Sequence, residues 1–113
     1  MSTRFMLATA LILFAGAASC ADLVVGAWKT ETGETASISR CGSDYCITAK
    51  TGKFAGQPLG SFSGTTDVYT GKLTDPANKA TYSGKLIISG DSLKLRGCAT
   101  SVLCRTQTWT RLE

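Results

Sequence analysis

Cysteine is the residue type in this sequence with the widest choice of chemistry. Beyond Cys20 near the N-terminus, four cysteines form two close pairs, Cys41 with Cys46 and Cys98 with Cys104. Thiolates in pairs can bind zinc, run a redox cycle or form disulfides. The four and five intervening residues exceed the two that redox motifs use and miss the usual short spacing of zinc ligands. The chain also has no histidine to complete a zinc site, so the spacing favours disulfides.

The segments inside the two pairs, residues 42–45 and 99–103, have the length of hairpin loops. Cysteines at facing strand ends lie near the Cα separation of about 5.5 Å that a disulfide requires. We therefore predict the local pairing, Cys41 with Cys46 and Cys98 with Cys104. Four cysteines permit three connectivities, and the two crossed ones stay open from sequence alone.

Acid–base catalysis has few residues to work with. The absence of histidine removes the most common general base near neutral pH. The eight acidic residues are scattered, and most fall in predicted turns, where aspartate is expected on conformational grounds. Asp75 and Pro76, for example, begin a typical type I turn. No glycine-rich phosphate loop opens a helix, so we predict no catalytic residues, no metal site, no cofactor and no enzymatic activity.

The N-terminus has the layout of a secretory signal peptide. Arg4 precedes the uncharged apolar run 5–18, which is shorter than the roughly 20 residues that a membrane-spanning helix needs. Small residues follow, and we predict a signal peptide over residues 1–21 and one domain over residues 22–113. Lipidation of Cys20 is the alternative. Export would carry the cysteines into an oxidising compartment.

Basic residues give the chain a net charge of +4 without forming a stripe with interleaved aromatics. Their alternation with apolar neighbours is typical of a solvated strand face, and we predict no nucleic-acid role. The residues concerned are Lys72, Lys79, Lys85, Lys94 and Arg96.

Short alternating runs separated by turn residues indicate an all-β protein. We find seven such runs, the first over residues 23–32 and the last over 103–112, or eight if the glycine-rich stretch 54–66 contributes a strand. Short connections favour a meander, and a meander of this size can close and remove its edges. The predicted fold is a small antiparallel up-and-down β-barrel.

Alternation along the last run places Arg105, Gln107, Trp109 and Arg111 on one face. With Tyr82, the first three of these are our candidate ligand-lining residues, because an open barrel would turn them inward. The full inward set that the pattern predicts is Trp28, Ile38, Tyr82, Leu86, Leu93, Leu95 and Trp109.

The first run contains Gly26-Ala27-Trp28, and the last contains Arg111. This combination resembles the calycin barrels, which include lipocalins, fatty-acid-binding proteins and avidins. In those families the first-strand tryptophan lies at the closed end of the barrel and the arginine lies across it. The resemblance implies that Gly26, Trp28 and Arg111 close this barrel, and a guanidinium on an indole face contributes about 0.5–2 kcal/mol.

Further strings resemble a bacterial exported family known as domain of unknown function 2147. They are Gly26-x-Trp28-Lys29, Cys41-Gly42 with Cys46, Asp75-Pro76 before Thr81-Tyr82, Leu93 to Gly97, and Gln107 to Arg111. The resemblance implies a lipocalin-like barrel in the periplasm or secreted from a Gram-negative cell, and brings no catalytic residues. The stretch from Lys53 to Asp67 is shorter than in longer relatives, which predicts a smaller cavity or none.

Two functions remain from the sequence. The preferred one is a non-enzymatic module that binds a small amphipathic ligand inside the barrel. The alternative is a filled barrel that contacts an envelope protein, for instance as an inhibitor, through its loops or residues 22–25. A cavity lined by Tyr82, Gln107 and Trp109 would favour the first.

Overall fold

The computed structural model describes residues 23–100 and 102–112. They form eight antiparallel strands in chain order, closed into an up-and-down barrel, as the alternation predicted. The predicted signal peptide (1–21), the lipidation site Cys20 and the domain ends Asp22 and Glu113 lie outside the described residues. The strands are β1 (Gly26–Lys29), β2 (Thr35–Cys41), β3 (Asp44–Ala49), β4 (Pro58–Thr65), β5 (Val68–Thr74), β6 (Thr81–Ser89), β7 (Ser92–Cys98) and β8 (Cys104–Arg111).

The glycine-rich middle contributes β4, so the larger strand count is correct. Its pairing with β3 shifts register between Ile47 and Thr48, and such a bulge obscures period-two alternation in the sequence. This strand supplies Phe62 to the core, where only 1% of its surface is exposed.

The first strand is shorter than the predicted run 23–32. Gly26 has φ 146°, a conformation that favours glycine, and the residues before it form a turn. After Lys29 the backbone turns again, with Thr30 N–H donating to Glu34 O at 2.8 Å. Only the middle of the predicted run 23–32 is therefore a strand.

The barrel closes through a short seam between β1 and β8. Their register contains two pairs, Trp28 with Arg111 and Lys29 with Thr110. Beyond them the strands diverge, and Glu31 Oε2 accepts the Thr108 N–H at 2.8 Å. A carboxylate thus takes the place that a β1 carbonyl would occupy in a longer ladder.

Both predicted disulfides are formed locally, between Cys41 and Cys46 and between Cys98 and Cys104. The first hairpin is tighter than expected, because Cys41 pairs with Asp44 across a loop of Gly42 and Ser43 alone. Cys41 and Cys46 are consequently diagonal neighbours with a Cα–Cα distance of 5.9 Å.

The core fills one half of the barrel. All seven residues of the predicted inward set face the interior, and six are buried, whereas Tyr82 is half-buried. Buried residues outside that set are Val24, Ala36, Tyr45, Ile47, Ala49, Phe62, Tyr69 and Ile88. Most of these lie toward the end that carries the β2–β3, β4–β5 and β6–β7 turns, which we call the closed end; the opposite end is the open end. Within the described residues, no helix is long and apolar enough to cross a membrane.

Candidate functional site

The open half of the barrel contains a cavity of about 880 Å³. Its size lies within the range of about 300–1,000 Å³ that is usual for small-molecule sites. Apolar side chains from six strands, β2 to β5, β7 and β8, form its wall, together with Phe54 from the β3–β4 loop. The strand residues are Ala36, Ala49, Leu59, Leu73, Leu95 and Trp109.

All four candidate ligand-lining residues border this one cavity. Trp109 is 4% exposed and lies deep, Tyr82 and Gln107 are half-buried, and Arg105 is exposed at the mouth. The alternation of β8 therefore runs from the open end at Arg105 to the closed end at Arg111. A cavity is present, so the expectation of none, drawn from the stretch 53–67, is wrong, and the small side chains of Ala36 and Ala49 lie on its wall. That the cavity is smaller than in longer relatives stays a prediction.

Three polar side chains that line the cavity can present hydrogen-bond donors to a ligand, those of Tyr82, Arg105 and Gln107. The Trp109 indole N–H donates to Gln107 Oε1 at 3.0 Å, which holds the Gln107 side chain in place and leaves its amide N–H groups for a ligand. Within residues 23–100 and 102–112, neither the Tyr82 hydroxyl nor the Arg105 guanidinium has a hydrogen-bond or ion-pair partner. The site can therefore receive acceptor atoms of a ligand.

The acidic groups at the mouth are already engaged. Glu34 Oε1 accepts a hydrogen bond from the Thr51 hydroxyl, and Asp75 Oδ1 accepts one from Ala77 N–H at 2.8 Å. Lys53, by contrast, lies over the Phe54 ring at 5.5 Å. Arg105 is therefore the charged residue of the mouth for which the described residues provide no hydrogen bond, ion pair or ring contact.

The β7–β8 loop forms an apolar lip on the mouth. Val102 and Leu103 border the cavity yet are 82% and 66% exposed. Apolar side chains of this exposure beside an open cavity suit the passage of an apolar group.

The closed end is held by the residues that the calycin resemblance implied. The Arg111 guanidinium lies 4.2 Å from the centre of the Trp28 ring and donates to Val25 O at 3.2 Å and to Leu23 O. Trp28 is fully buried, and its indole N–H donates to Val24 O at 3.0 Å. These bonds tie the N-terminal segment across the end of the barrel.

Sequence reasoning missed a second arginine at the closed end. The Arg40 guanidinium lies 5.1 Å from the centre of the Tyr45 ring, and its Nη1 donates to Tyr45 Oη at 2.8 Å. Tyr45 in turn meets Tyr69 edge to face at 5.2 Å. The even spacing of Ala36, Ile38 and Arg40 was the available signal that Arg40 continues the inward face.

Metal chemistry finds no donor set here. Within the described residues, no group of three or more histidine, cysteine or acidic side chains lies close enough to hold an ion.

Comparison with family models matches residues 53–111 to a family described as "Uncharacterized protein conserved in bacteria (DUF2147)". The match covers β4 to β8 and includes the stretch 53–67, whereas the resembling strings of β1 to β3 lie before it. Comparison with curated proteins and with solved structures gave no match.

Proposed function

Because this chain belongs to the uncharacterised bacterial family DUF2147, we propose from its own geometry that it is a non-enzymatic binding module for a small amphipathic ligand. The observation that carries the proposal is the cavity of about 880 Å³, open at one end and lined by Tyr82, Gln107 and Trp109. The buried wall takes the apolar part of the ligand, and the donors take its polar end.

The polar side chains of the cavity limit the chemical class of ligand that can bind. Tyr82, Gln107 and Arg105 all offer donors toward the cavity or its mouth, whereas Glu34 and Asp75 are engaged elsewhere. A ligand whose polar end carries acceptor oxygens, charged or neutral, complements these groups.

The proposed location is the periplasm or the exterior of a Gram-negative cell. Two disulfides support it, because such bonds persist in oxidising compartments. The basic residue and apolar run within residues 1–21 have the layout of a signal peptide, which also favours export.

The first test is native mass spectrometry of the protein recovered from a periplasm without refolding. Retained non-covalent mass that leaves on mild activation supports the proposal, and its value gives the chemical class. The anionic amphiphile 1-anilinonaphthalene-8-sulfonate then serves as a defined probe. Failure to retain any ligand, together with failure to bind this probe, would contradict the proposal.

Filling the cavity should abolish probe binding. Ala49 faces the cavity with 8% of its surface exposed, and Ala49→Phe places a ring in that space. We expect affinity for the probe to fall at least about ten-fold, which is the loss of about 1.4 kcal/mol of contact. Fluorescence titration measures it.

The matched control is Thr48→Phe, at the neighbouring position whose side chain points outward. It should bind the probe as the parent does. Equal losses in both variants would show that the probe binds elsewhere.

Protein contact is the second candidate function, favoured by the exposed Val102 and Leu103 of the apolar lip. Replacing Val102 and Leu103 with serine distinguishes protein contact from ligand binding. Loss of an envelope partner with probe affinity retained would support the interaction.

A further inference from the structure

The outward side chains of β5 to β8 include four cations and no carboxylate. The four strands contain no aspartate or glutamate, and their outward positions are otherwise mostly serine and threonine. We call this surface the basic face. Its cations, all exposed, are Lys72, Lys85, Lys94 and Arg96.

Strand register brings these cations together. Lys85 lies directly opposite Arg96, and directly opposed like charges destabilise a sheet. Lys94 is two residues from Arg96 on β7, and Lys72 lies opposite Ser83, two residues from Lys85. Within the described residues none of the four cations forms an ion pair. No acidic side chain there therefore neutralises the positive charge of this face.

A small hollow lies between the opposed cations. Its volume is about 190 Å³, and Ser83, Gly84, Lys85, Arg96 and Cys98 line it. Two cationic side chains and a hydroxyl around a concavity can hold the oxygens of a phosphate group.

We propose that the basic face docks the protein on an anionic phospholipid surface, with a headgroup phosphate in the hollow. Val68 and Ile87 oppose each other on the same face and are 41% and 40% exposed, which suits the interfacial region of a bilayer. The aromatic residues of these strands, Tyr69, Tyr82 and Trp109, all face inward, so the surface lacks the stacking groups of single-stranded nucleic-acid sites.

Vesicle co-sedimentation tests the proposal with the disulfide-bonded protein. Phosphatidylglycerol vesicles should bind it, pure phosphatidylcholine vesicles should not, and added salt should weaken binding. Lys85→Gln and Arg96→Gln should each lower the partition coefficient about five-fold. Lys50→Gln, which removes the same charge from the β3–β4 side, should change it less than two-fold.

Three outcomes would overturn the proposal. They are equal binding to both kinds of vesicle, an equal loss in the Lys50→Gln control, and binding to the polyanion heparin without binding to anionic vesicles. Ala49→Phe keeps this test separate from the cavity, because that variant should bind vesicles as the parent does.

Discussion

Arg111→Ala should lower the free energy of unfolding by about 3 kcal/mol. The substitution removes a cation from the Trp28 ring, a contribution of about 0.5–2 kcal/mol, and leaves Leu23 O and Val25 O without their charged donor. The guanidinium side chain is only 18% exposed, so water replaces these bonds poorly. Urea unfolding measures the loss.

Arg111→Lys and Arg96→Ala are the controls for this prediction. Lysine keeps the charge but cannot lie flat on the indole while donating to two carbonyls, so it should recover about half of the loss. Arg96 is exposed on the neighbouring strand β7. Its replacement by alanine should change the free energy of unfolding by less than about 0.5 kcal/mol. A full recovery by lysine would contradict the stacking argument.

Gly71→Ala should lower the free energy of unfolding by about 3 kcal/mol or more, at least as much as Arg111→Ala. A Cβ at Gly71 would overlap the carbonyl oxygen of Ser61 and lie 2.8 Å from Phe62 Cα. Both atoms belong to the backbone of β4, so the two strands would have to separate.

Gly97→Ala is the matched control for Gly71. The two glycines lie in one row of the register, through Gly84, but a Cβ at Gly97 meets only Leu73 Cδ1, at 3.0 Å. A side-chain methyl can rotate away, and we expect a loss below about 1.5 kcal/mol. Comparable losses in the two variants, measured by urea unfolding, would contradict the backbone argument.

Alternation in the sequence was enough to predict most strands and the inward face of β8. It failed where backbone geometry departs from a regular strand. The bulge in β4 and the turn before Gly26 each break the period without a distinctive residue pattern. The tight Gly42-Ser43 loop was missed because the cysteine spacing suggested that the two cysteines face each other directly.

The cavity was harder to predict than its lining. Tyr82, Gln107 and Trp109 follow from alternation, but the empty volume depends on how Ala36, Ala49 and Leu73 share the interior. The basic face was likewise hidden, because Lys85 and Arg96 become neighbours only through strand register. Along the chain they look like separate solvated lysine and arginine residues.

The short seam between β1 and β8 has a consequence for the order of folding. Seven of the eight strand pairings join consecutive strands and can form as local hairpins. The seam alone joins the first strand to the last, at Trp28 and Arg111, and its formation must overcome the entropy of closing the intervening chain. We therefore expect an open meander to precede the closed barrel, which can form only once β8 is available to pair with β1.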